Sequence, residues 1–218
     1  MTSHSELLHR HAVPAAPSPA QGLLGQFGVS MAYARGEEIY AQEEEADLVY
    51  QVTSGCVRTT RLMSDGRRQI GSFYYPGDVF GLEQGGEHRF SAEALSDSVV
   101  QVAKRKAAVL AAGQDAFDRF MAQALMTELE RTQDHLLLLG RKTACERVAT
   151  FLLEAADRAG GTRIDLPMGR QDMADYLGLT IETVSRMVTQ LQTGGVVDFP
   201  CCRQFIVRNR AALQRMSE

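Results

Sequence analysis

From about Val29 to Ala103 the chain runs as short stretches rich in Val, Ile, Tyr, Phe and Thr, broken at Gly36, Ser54-Gly55, Asp65-Gly66, Pro76-Gly77-Asp78 and Gly85-Gly86. Strand formers at that spacing, punctuated by turn residues, predict a small antiparallel barrel or sandwich. Residues 48–62 (LVYQVTSGCVRTTRL) and 64–75 (SDGRRQIGSFYY) read as two strands about Asp65-Gly66, a tight-hairpin signal. After Lys104-Arg105-Lys106 the period changes. Met121, Leu125, Leu129, Thr132, Leu136 and Leu139 recur three and four apart, which predicts a helix over about 114–139. With Glu128, Glu130, Arg131 and Asp134 at flanking positions, the stripe reads as the seam of a parallel helix pair, hence a homodimer. Gly140 interrupts the period. A second helix is expected over 143–156 with Val148, Phe151 and Leu152 on its inner face, closed by Gly160-Gly161, then a short extended piece at 162–164.

The most informative stretch is 170–197, RQDMADYLGLTIETVSRMVTQLQTGGVV. Met173, Ala174 and Leu177 form one face of a short helix, Gly178 supplies a sharp turn, and Thr180 is a good N-cap for a second helix reaching about Gln192. In that helix Ile181, Val184, Val188 and Leu191 follow the inward repeat. Glu182, Ser185, Arg186 and Thr189 fall on the opposite stripe at i, i+3, i+4 and i+7. This is the pattern of a helix-turn-helix whose second helix reads DNA: arginine can bond guanine O6 and N7, glutamate can accept from cytosine N4, and serine can touch a base or phosphate. Thr180, Thr183, Thr189 and Arg170 are supporting candidates. Gly194-Gly195 ends the helix, and VVDFP and RQFIVRN then read as two strands of a wing joined around Cys201-Cys202. Arg203, Arg208 and Arg210 on and beside that wing are candidate phosphate partners.

Charge changes the picture only once it is divided along the chain. The net charge of −4 opposes nucleic-acid binding, but residues 1–139 hold 12 Lys and Arg against 18 Asp and Glu, whereas 140–218 hold 11 against 9. The acidic excess therefore lies upstream of the reading helix. Residues 1–20, rich in Pro, Ala, Ser and His, read as a mobile arm; His4, His9 and His11 share no fixed frame, so no metal site is expected. The cysteines are Cys56, Cys145, Cys201 and Cys202, which suits neither a disulfide framework nor zinc. The vicinal pair, at a wing tip beside arginines, is a candidate redox site. No apolar run is long enough for a membrane span, and no acid, base and nucleophile cluster at enzyme-like spacing, so a cytoplasmic non-enzyme is expected. The division is 1–20 arm, 21–112 β-roll, 113–139 dimerisation helix and 140–218 winged helix-turn-helix, an α+β chain.

From about Gln21 onward the sequence closely resembles the superfamily of cyclic-AMP receptor and fumarate-nitrate regulators, and within it the nitrogen-fixation regulators of the FixK type. The resemblance rests on Pro-Gly-Asp-Val-Phe-Gly (76–81), Phe-Ser-Ala-Glu-Ala (90–94), Gly-Arg-Lys-Thr-Ala (140–144) and Leu-Gly-Leu-Thr-Ile-Glu-Thr-Val-Ser-Arg (177–186). It implies a homodimer on a palindrome with TTGA-type half-sites read by Glu182, Ser185 and Arg186, and activation through contact with RNA polymerase. Two departures matter. Cyclic-AMP binders carry an arginine where this chain has Phe90, and an aromatic ring cannot neutralise a phosphate; Arg89, one residue away on a strand, would face the other side. The oxygen sensors need amino-terminal cysteines for a [4Fe–4S] centre, whereas the first cysteine here is Cys56. Neither a cyclic nucleotide nor an iron-sulfur cofactor is expected. The alternative is an effector-binding sensor module that regulates a partner protein.

Overall fold

A computed structural model of the chain describes residues 23–83 and 86–218. The predicted arm, with its three histidines, and Gly85 of one predicted turn lie outside the described residues.

After a short helix α1 (Leu24–Phe27), eight strands build the roll: β1 (Val29–Tyr33), β2 (Glu38–Tyr40), β3 (Leu48–Ser54), β4 (Val57–Leu62), β5 (Arg68–Tyr74), β6 (Val79–Phe80), β7 (Ser91–Ala94) and β8 (Ser98–Lys104). They form two four-stranded antiparallel sheets, ordered β1-β8-β3-β6 and β2-β7-β4-β5. The two-residue period of a strand divides their side chains. Tyr50, Val52, Val100 and Val102 point inward with Tyr40, Tyr74 and Phe80, while Val49 and Ala103 point outward against Leu24, Ala108, Phe117 and Met121. The predicted hairpin forms around Asp65-Gly66, but the first predicted strand is two, folded back at Gly55. On β5 the pairing slips by one residue at Gly71. A Cβ there would lie 2.9 Å from the Phe90 ring, so only glycine lets that ring close over the strand.

Helix α2 (Arg105–Ala112) leads into α3 (Gln114–Arg141). Contrary to the sequence expectation, α3 runs through Gly140 and breaks two residues later. A mid-helix glycine costs only about 1 kcal/mol, and the real stop is built by Arg147, which donates to the carbonyls of Leu139 (2.8 Å), Lys142 (2.9 Å) and, across the gap, Leu177 (3.0 Å). Thr143 then starts α4 (Ala144–Ala159) with a capping box: its hydroxyl accepts from the Glu146 amide, and the Glu146 carboxylate accepts from the Thr143 amide. Val148, Phe151 and Leu152 are buried as expected.

The rest is β9 (Arg163–Asp165), α5 (Arg170–Leu177), α6 (Ile181–Thr193), β10 (Val197–Cys201), β11 (Gln204–Val207) and α7 (Arg210–Ser217), with a sheet ordered β10-β11-β9. Its core is one cluster around Val148, Leu152, Met168, Met173, Leu177, Val184, Val188, Leu191, Phe205 and Leu213. Cys56, Ile70, Phe73 and Leu95 of the roll belong to the same cluster, so the carboxy-terminal domain is packed on the roll. Among the described residues no helix is long and apolar enough to cross a membrane.

Candidate nucleic-acid interface

Helix α5 ends at Gly178, whose φ of +61° is the left-handed conformation that lets the chain turn at once, and Leu177 is fully buried beside it. Two residues on, the Thr180 hydroxyl accepts from the Thr183 amide at 3.3 Å and starts α6. The Thr180 and Thr183 hydroxyls also face each other at 3.2 Å. Val184, Val188 and Leu191 are completely buried, and that burial sets the rotation of the helix. Glu182, Ser185, Arg186 and Thr189 are left exposed on the far side. One expected inward residue is not inward: Ile181 is 37% exposed, because in the first turn the packing ends one step before it. It lies beside Glu182 at the start of the stripe.

Glu182 is held below the usual carboxylate range by its own backbone N–H and the Thr180 hydroxyl, so it is an ionised acceptor at neutral pH. The Thr189 hydroxyl donates to the Ser185 carbonyl at 3.0 Å. Arg186 forms no ion pair among the described residues. The other nominated arginines differ. Arg170 is half-buried over the Phe199 ring, 4.7 Å from its centroid, and burial lowers its pKa. Arg203 donates to the Pro167 carbonyl at 3.1 Å, Arg208 pairs with Asp198 at 3.0 Å, and Arg210 pairs with Asp157. The wing forms as expected from β10 and β11, with Cys201 and Cys202 exposed at its tip.

The long helix carries two stripes rather than one. Phe117, Met121, Glu128, Arg131, His135 and Leu138 face the rest of the chain: Tyr74 donates to Glu128 at 3.1 Å, Arg131 pairs with Asp78 at 2.9 Å, and His135 Nε2 donates to the Tyr176 carbonyl at 2.9 Å. Leu125, Leu129, Thr132 and Leu136 stand exposed on another side, with Met126 and Leu137. Met121, expected in the seam, is instead buried against Phe117 and Ala108, and Leu139 is partly covered, its side chain 3.4 Å from where a Cβ on Gly178 would stand. Glu128 and Arg131, expected to flank the seam, pair toward the roll. The cause is the same in each case: the helical period is blind to which of two stripes meets the rest of the chain.

In the roll, Phe90 does not lie on a strand but in the bend before β7, its ring over Gly71; Arg89 is exposed and its amide donates to Glu83. The interior is filled with rings: His88 stacks on Tyr40 at 3.7 Å, and Tyr50 and Tyr74 each lie about 5 Å from Phe80. Sequence reading missed the charged contacts between roll and helix-turn-helix, formed by Arg58, Arg68, Asp172 and Asp175. Each of these residues is visible in the sequence, but nothing local pairs them.

Residues 146–216 match the Crp-like helix-turn-helix domain family, and residues 30–123 match the cyclic nucleotide-binding domain family. The chain is 46% identical over 219 aligned residues to the nitrogen fixation regulation protein FixK of Azorhizobium caulinodans, spanning 97% of this chain and 88% of that protein. It is 45% identical to the FixK protein of Rhizobium meliloti, over 84% of this chain and 85% of that one. Among solved structures, FixK2 from Bradyrhizobium japonicum superposes with a TM-score of 0.82 at 50% identity, covering 88% of this chain and 98% of the other.

Proposed function

Since the chain belongs to the FixK-type branch of the CRP/FNR family of DNA-binding transcription regulators, we propose that it works as a cytoplasmic homodimer that binds a palindrome of TTGA-type half-sites and activates transcription by touching RNA polymerase. The observation that carries the reading is the exposed stripe of α6 with an ionised Glu182 and an exposed Arg186 that forms no ion pair among the described residues. In the major groove Arg186 bonds guanine, Glu182 accepts from cytosine N4, Ser185 contacts a base or phosphate, and Ile181 offers an apolar surface to a thymine methyl. Thr180, Thr183, Thr189 and Arg170 support the helix, while Arg203 and Arg208 meet phosphates from the wing once Arg208 exchanges Asp198 for DNA. The exposed Leu125, Leu129, Thr132 and Leu136 form the dimer seam, which sets two α6 helices one helical turn of DNA apart.

The aromatic filling of the roll, and Phe90 where a phosphate would need a cation, support binding without a cyclic nucleotide. The direct test is a gel shift with a TTGA-containing palindromic duplex and no added nucleotide. Binding is expected, and Arg186→Ala should lose about 1–3 kcal/mol on the palindrome with relaxed selectivity at one base pair. Arg208→Ala should weaken all sequences alike. Equal loss on specific and random duplex in Arg186→Ala would sink the base-reading role, and binding only after a cyclic nucleotide is added would overturn ligand-free action.

A further inference from the structure

Five side chains meet where β4, β5 and β7 of the roll face α5, three from the roll and two, more than 75 residues later, from α5. Arg58 bonds Asp172 at 2.5 Å and Glu93 at 2.8 Å; Arg68 bonds Asp172 at 2.9 Å and Asp175 at 2.7 Å. Arg58 and Asp172 are almost completely buried. Asp172 is committed twice, because its other carboxylate oxygen accepts from the Gly169 amide and caps α5 at its N-terminus. Beside this cluster Phe73 packs against Tyr176 at 5.1 Å, and His135 of α3 stacks on Tyr176 at 4.1 Å while donating to its carbonyl. All these anchors fall on α5, and the reading stripe of α6 stays exposed.

We infer that Arg58 and Arg68, through Asp172 and Asp175, are positioning residues for DNA binding: they clamp α5 to the roll and thereby fix the direction of the recognition helix relative to the dimer helix. The inference rests on the DNA-reading role proposed above. Helix α5 joins α6 through three residues, Gly178 to Thr180, and shares its core, so an orientation imposed on α5 is passed to α6 as a rigid body. A palindrome demands that two such helices enter successive major grooves together, and one base pair of error in spacing turns a half-site by roughly a tenth of a helical turn. Hydrophobic contacts alone tolerate sliding. A buried arginine–carboxylate cluster does not, because slippage leaves a charge both dry and unpaired. The clamp thus converts a loose domain contact into a single orientation, and only the fraction of molecules in that orientation binds at full strength.

The test is a double-mutant cycle in the full-length chain with Arg68→Gln, Asp175→Asn and the pair together, plus Arg68→Lys. Amide hydrogen exchange without DNA supplies the first readout. Each single neutral variant should speed exchange in α5 and β5 while Val188 and Leu191 of α6 stay protected, and the double should match the faster single. The second readout is affinity for the TTGA palindrome and for the same duplex with one base pair inserted between the half-sites. Each single should weaken palindrome binding about tenfold, as expected if about a tenth of the molecules keep the competent orientation. The double should lose no more than the worse single, discrimination against the inserted duplex should shrink, and Arg68→Lys should stay within about threefold of the unaltered chain. Asp175→Asn, nearly isosteric, keeps the test decisive should Arg68→Gln misfold. Unchanged or raised affinity in the singles, additive losses with unaltered spacing discrimination, or unchanged exchange in α5 would each overturn the clamp. Failure of the unaltered chain to bind the palindrome would strike the DNA-reading role instead, leaving the exchange cycle to decide the clamp.

Discussion

Chemically identical side chains play opposite parts in this molecule according to what the fold sets beside them. Arg186 is exposed on the polar stripe of α6 and forms no ion pair among the described residues, Arg68 is spent on two carboxylates of α5, and Arg147 holds the ends of two helices. The cysteines divide in the same way. Burial pushes the Cys56 thiol up to about 12 and also raises Cys145, so neither offers much thiolate at neutral pH, whereas Cys201 and Cys202 stand exposed at the wing tip. A maleimide added near neutral pH should label Cys201 and Cys202 first, with Cys145 slower and Cys56 modified only on unfolding, as read by mass spectrometry of the labelled peptides. Labelling of Cys56 at the rate of the wing thiols would contradict the burial argument. If the wing lies on phosphate as proposed, bound duplex should slow modification of the vicinal pair.

Helices α4, α6 and α7 begin at residues whose side chains cap them. Thr180 as an N-cap and Gly178 as the turn were legible because each acts within three or four residues of itself, whereas the capping box of Thr143 with Glu146 went unread. Gly140 misled for the complementary reason: the burial of Leu138 and the Arg147 bond to the Leu139 carbonyl, both made with residues outside the helix, outweigh a penalty of about 1 kcal/mol. Two substitutions measure these elements, with denaturant unfolding as the assay. Leu191→Ala should cost about 2–5 kcal/mol, since it leaves a void in a core where Leu191 is wholly buried. Gly178→Ala should cost about 1 kcal/mol from its left-handed backbone alone, with the Leu139 side chain 3.4 Å from the added carbon. A change below a few tenths of a kcal/mol in either would refute the local account.

Across the whole molecule the consequence is geometric: α6 with its exposed polar stripe, a long helix with an exposed apolar stripe, and a roll joined to α5 by buried ion pairs. Leu129→Glu combined with Leu136→Glu places charges on that stripe without touching the face packed on the roll, so it should yield a folded monomer by analytical ultracentrifugation. Palindrome affinity should then fall by about two orders of magnitude or more through loss of the second half-site; a double variant that stays dimeric would relocate the interface. By itself the sequence determined the strand-rich roll, the helix-turn-helix with its caps, the wing and the polar stripe of α6, since each is written in local period, turn residues or caps. Tertiary structure alone decided which stripe of α3 is spent on the roll, that Ile181 faces out, and that Arg58 meets Asp172 from 114 residues away. A helical period marks an apolar stripe without naming its partner, and an ion pair between distant residues leaves no periodic trace. Only folding, which brings the two carboxylates of α5 against two arginines of the roll, makes that contact and the orientation it imposes.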